Sequence, residues 1–110
     1  MREDYIIRKI SRNAKFLDRW RGARAQLREL TAHHPSLSIV LTRDDTDGNL
    51  LIACLEPEEI RSPVVWKNAN IGMEPAILPS GEVGVKITDA EQNVMIIAVG
   101  FEVAENVKLK

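Results

Sequence analysis

Apolar residues in the first third of the chain recur at helical spacing. Phe16, Trp20, Ala23, Leu27 and Leu30 follow one another at intervals of four, three, four and three and form a continuous stripe. Ile6, Ile10, Ala14 and Leu17 form an earlier set on a rotated face, which predicts a bend near Ser11-Arg12-Asn13. Between Asp4 and Ala32 there is no proline, Gly22 is the only glycine, and good helix formers dominate. Pro35 forces His34 away from helical dihedrals and closes the segment. The pattern therefore predicts a long helix over about residues 4–33. A strand over Asp4–Lys9 ahead of a shorter helix is the alternative.

Beyond Pro35 the period becomes two. Leu37, Ile39 and Leu41 alternate with Ser38, Val40 and Thr42, and Asp47-Gly48 marks a hairpin turn before an unbroken apolar run, Leu50–Leu55. Such a run suits a central strand. Glu56-Pro57-Glu58-Glu59 reads as one acidic helical turn. Strands are predicted over about 37–43, 49–55, 63–67, 70–78, 82–88 and 93–103. Pro75 assigns its strand to an edge or a bulge, and Pro79-Ser80-Gly81 and Asp89–Asn93 are turns. In the last strand Met95, Ile97, Val99, Phe101 and Val103 share one face. The expected core is Phe16, Trp20, Leu27, Ile39, Leu41, Ile52, Val85, Ile97, Val99 and Phe101.

One helix followed by strands with short connections predicts an α+β fold. A long N-terminal helix packs on a curved antiparallel sheet of five or six strands in meander order, as a single domain over 1–110. At 110 residues and 45% apolar content the chain can bury about two-thirds of its surface without covalent staples.

Charge alters this picture more than composition does. The net charge is −1, but residues 1–34 carry nine Lys/Arg and four Asp/Glu, whereas the remainder carries six and twelve. A basic helix and an acidic sheet can satisfy each other within one chain, which is the favoured reading, or the basic element can meet nucleic acid. One cysteine suits a reducing, cytoplasmic setting. The charged first twenty residues do not read as a signal peptide, and no apolar run approaches a membrane span.

Motifs for chemistry are weak. If Gly48 took the sixth place of a calcium loop, Arg43 would be the first ligand and Cys54 the twelfth, and neither fits. His33, His34 and Cys54 are the only soft ligands and lack zinc spacing. The six glycines form no phosphate-binding motif. No cofactor or metal is expected.

The sequence thus points to a non-enzymatic intracellular protein-binding or assembly module, homodimeric, with no membrane association. A straight helix of this length would run ~43 Å, against a domain diameter of roughly 34 Å. Its overhanging apolar start needs cover, and a two-fold partner supplies it. The interface candidates are Ile6, Ile10, Leu17 and Trp66. A nucleic-acid or anion binder using Arg8, Arg12, Lys15 and Arg19 is the first alternative. A small-ligand binder or enzyme with a pocket between helix and sheet is the second.

Overall fold

The structure is a computed structural model that describes residues 2–28 and 36–108. Helix α1 (Arg2–Arg19) passes through Ser11–Asn13 without a break. It ends well before residue 33, because Gly22 adopts a left-handed φ of 89°, the conformation that closes helices at lowest cost. Beyond this corner Arg24–Arg28 is a strand, β1. The long predicted helix is thus corrected to a helix and a strand, while residues 29–33 lie outside the described part. Ala25 and Leu27 alternate with Arg24, Gln26 and Arg28, a period of two that coincided with the helical stripe through Trp20, Ala23 and Leu27.

Six further strands follow: β2 (Ser36–Thr42), β3 (Asn49–Arg61), β4 (Val65–Trp66), β5 (Gly72–Ile77), β6 (Val83–Asp89) and β7 (Val94–Val107), with a short 3-10 turn at Ala90–Gln92. Each corresponds to a predicted strand, so the seventh strand is the one taken from the predicted helix. The acidic turn expected at Glu56–Glu59 is instead part of β3, where Glu56 takes a φ of 50° and the ladder shifts register between Pro57 and Glu59.

All described pairings are antiparallel, in the order β4-β1-β2-β3-β7-β6-β5. This is not the expected meander. The first four strands make a Greek key, with β4 returning beside β1. The last three form a meander whose final strand inserts between β3 and β6. The apolar run Leu50–Leu55 occupies the central strand, and the strand bearing Pro75 lies at an edge, as its sequence predicts.

The sheet is strongly rolled. Trp66, on edge strand β4, donates its Nε1 hydrogen to Asp89 Oδ2 on β6 at 3.0 Å, and the Asn70 amide donates to the same oxygen at 2.8 Å. Gly22 N–H bonds Ala69 O at 2.8 Å and Ala69 N–H bonds Ala23 O at 2.9 Å, seating the β4–β5 connection on the α1–β1 corner. Inside the roll lie Ile39, Leu41, Leu50, Ile52, Cys54, Val85, Ile87, Ile96, Ala98 and Phe101, with Trp20 from the end of α1. Ile10, Phe16 and Leu17 add the helix's apolar face.

In β7 the expected inward face holds for one half only. Val94, Ile96 and Ala98 are buried, followed by Phe101, so two residues rather than one separate Ala98 from the next inward position. The same gap separates Cys54 from Pro57 on β3, and the ladder pairs Cys54 with Phe101 and Pro57 with Ala98. This paired kink inverts parity, leaving Ile97 and Val99 only half-buried. Truncating Ile96 to Ala should therefore cost about 2–5 kcal/mol. The Ile97→Ala variant should lose clearly less, as read from paired urea denaturation curves.

Candidate functional site

The predicted interface residues are mostly spent inside the chain. Ile6 is 4% exposed and Trp66 6%, while Ile10 and Leu17 are half-buried against the core. Eighteen helical residues span about 27 Å, within principal extents of 41 × 29 × 25 Å. Helix length therefore gives no reason for a partner.

The surface beside Ile6 does. Tyr5, Ile6, Val83 and Val99 wall a hollow of about 170 Å³ where the start of α1 meets β6 and β7. Ile77 stands opposite Val83 in the β5–β6 ladder and is 80% exposed. Tyr5 is 56% exposed and Ile7 44%. These side chains make an apolar patch at one end of the roll, with exposure that isolated surface residues do not need to share. Along the neighbouring face of α1, Tyr5, Ile7, Arg8, Ser11 and Arg12 line a second, open hollow of about 590 Å³.

The four basic candidates divide into two pairs. Arg19 grips Glu105 on β7 through Nε (3.2 Å) and a terminal nitrogen (2.8 Å), and Lys15 and Arg19 both lie over the Phe16 ring. Arg8 and Arg12 make no ion pair or hydrogen bond among the described residues. Other cations of the basic segment reach the acidic one: Lys9 pairs with Glu102 at 2.7 Å and Arg24 with Asp44 at 2.7 Å. Much of the charge asymmetry is thus satisfied internally, and two of the unpaired cations, Arg8 and Arg12, sit beside the apolar patch.

A third hollow, about 490 Å³, lies on the outer side of β4, β1 and β2, bordered by Arg24, Gln26, Val40, Thr42, Val65 and Lys67. Val64 and Val65, both well exposed, extend its apolar wall. Its polar groups are largely engaged: Arg24 with Asp44, Gln26 with Arg28, and Thr42 with Asn49.

Reactive groups are few among the described residues. Burial pushes the Cys54 thiol up to about 12, so it stays protonated at neutral pH and behaves as a small apolar residue. No three His, Cys, Asp or Glu side chains of the described residues gather as metal ligands, and His33 and His34 lie outside that part. Asp44 and Asp45 of the hairpin tip pair with Arg24 and Arg43. Asp89 was not singled out by sequence reading, since it looked like a turn residue. It is 1% exposed; Oδ2 takes the bonds from Trp66 and Asn70, and Oδ1 has no hydrogen-bond partner among the described residues. Its role is to tie the roll together.

Glu105 is the titrating group with the clearest consequence. Hydrogen bonds from the Arg19 guanidinium and then from Trp20 Nε1, at 2.8 Å, hold its carboxyl below the usual carboxylate range. A folded value below the unfolded one means that stabilisation is complete above about pH 4.3 and is lost as pH falls through the lowered value. Melting curves from neutral to acid pH should therefore show a steeper acid decline for the unmodified chain than for Glu105→Gln. Compared with protein-family models, curated proteins and solved structures, the chain matches none.

Proposed function

We propose that this chain is a non-enzymatic assembly module of the cytoplasm that functions as a homodimer. The observation that carries the reading is the apolar patch of Tyr5, Ile77, Val83 and Val99, in which the two valines are half-buried and the isoleucine has 80% of its surface open. Leaving such a side chain in water forgoes about 1.5–3 kcal/mol of burial, and a second copy of the same surface would recover it twice over. Two-fold pairing needs only one self-complementary patch per chain. A fully buried, uncharged cysteine suits a reducing compartment.

Nucleic-acid binding is the less favoured reading. Phosphate tracking draws on many cations, and on α1 the pairings of Lys9 and Arg19 leave Arg8 and Arg12 as the exposed, unpaired guanidiniums among the described residues. Those two flank Tyr5 and Ile7, a mixture better suited to a protein surface than to a sugar-phosphate backbone.

Sedimentation equilibrium should give twice the 12.4 kDa of one chain. Ile77→Glu should yield a monomer with unchanged circular dichroism and melting temperature, because Ile77 contributes little to its own core. Replacing Ile6 and Ile10 together with Lys should instead lower the melting temperature, since Ile6 is buried within the chain. A monomer at all concentrations up to hundreds of micromolar would overturn the reading.

A further inference from the structure

The roll carries an unpaired acidic element close to the unpaired basic one. Glu56 and Glu58 on β3 are exposed and make no ion pair or hydrogen bond among the described residues. They flank Pro57, which is half-buried and pairs with Ala98. The β3–β7 ladder sets Leu55 opposite Gly100 and Pro57 opposite Ala98, so Glu56 lies across from Val99. Val99 in turn walls the hollow with Tyr5 and Ile6. The apolar patch thus has the cations of α1 on one flank and the carboxylates of the β3 bulge on another, one strand spacing of about 5 Å from Val99.

We infer that the occupant of the Arg8–Arg12 hollow is the Glu56–Glu58 segment of a second copy of this chain. The inference rests on the homodimer reading and specifies its polar contacts. Charge is complementary: two guanidiniums without carboxylates face two carboxylates without cations. Spacing is complementary as well. Residues four apart on a helix rise by about 6 Å, and residues two apart along an extended chain lie at most about 7 Å apart, so each guanidinium can meet one carboxylate. A two-fold axis through the Tyr5–Val99 patch places both flanks in contact at once, helix to bulge and bulge to helix, as isologous pairing demands. The apolar centre supplies the burial, and the four charge pairs at its rim set the orientation.

Charge reversal tests the pairing, because all four side chains are exposed and their replacement leaves the core intact. Association is measured by sedimentation for the unmodified chain, Arg8→Glu/Arg12→Glu, Glu56→Arg/Glu58→Arg, and the combined fourfold variant, with circular dichroism as the check on folding. Each double variant should weaken the dimer by roughly tenfold or more, and the fourfold variant should regain most of the loss. A dimer indifferent to both reversals, or one that the fourfold variant fails to restore, would overturn this pairing and leave the homodimer reading standing. An unmodified chain that stays monomeric would overturn both. If that monomer retards a duplex DNA probe at low salt and loses it on Arg8→Glu/Arg12→Glu, the arginines serve phosphates instead.

Discussion

Strands β4 and β5 stand at opposite ends of a seven-stranded row, yet only residues 67–71 separate them along the chain. In a flat sheet those ends would be about 29 Å apart, six spacings of about 4.8 Å. The six steps from Trp66 to Gly72 reach ~22 Å at most. The sheet has to roll. The Trp66–Asp89 bond, the Asn70 amide on the same carboxylate, and the Gly22–Ala69 and Ala69–Ala23 bonds fix how far it rolls. The paired kink of β3 and β7 at Leu55–Glu56 and Val99–Gly100 is where the two longest strands accommodate the curvature. Core, helix seat and surface patch all follow from this closure.

Rolling also decides which charges meet. It carries the second half of β7 to α1, where Glu102 takes Lys9 and Glu105 takes Arg19 and the Trp20 indole. Lys9 is the better-covered of these cations, 14% exposed and 5.0 Å from the Phe101 ring centre. Exposed ion pairs each contribute at most about 1 kcal/mol, so their main effect is on orientation. They settle which way the amphipathic helix lies across the sheet, and they leave Arg8 and Arg12 facing outward.

Local chemistry was legible in the sequence; closure was not. Asp47-Gly48, Pro75 and Pro79-Ser80-Gly81 each act within a few residues and gave a hairpin, an edge strand and a turn at the right places. The helix end was missed because Trp20, Ala23 and Leu27 satisfy a period near 3.6 while Ala25 and Leu27 also satisfy a period of two. Gly22, the only glycine of the segment, is the local signal for that end. The β7 face holds for one half only because the paired kink at Val99–Gly100 inverts parity without changing composition. The Greek-key return and the function of Asp89 depend on contacts between residues far apart in sequence, for which the periodicity of one strand holds no information. Ile6 and Ile10, the residues that the sequence singles out near the chain's start, share helix α1 with one member of the patch, Tyr5. The members of the patch, the exposed Tyr5 and Ile77 and the half-buried Val83 and Val99, come from four elements and share no spacing.

The position of β7 between β3 and β6 has a consequence for how the chain reaches this structure. The two hairpin systems on either side, β1–β2–β3 and β5–β6, are built from neighbours in sequence and close cheaply. Residues 94–107 are the keystone that joins them, paired along their length to a strand some forty residues earlier. During synthesis β3 and β6 therefore stand as two unsatisfied edges until that segment leaves the ribosome. β3 at that stage shows Leu50–Leu55 along an open ladder, the kind of edge that recruits other chains. Part of the aggregation risk in this protein therefore falls in a time window, before its last described strand arrives.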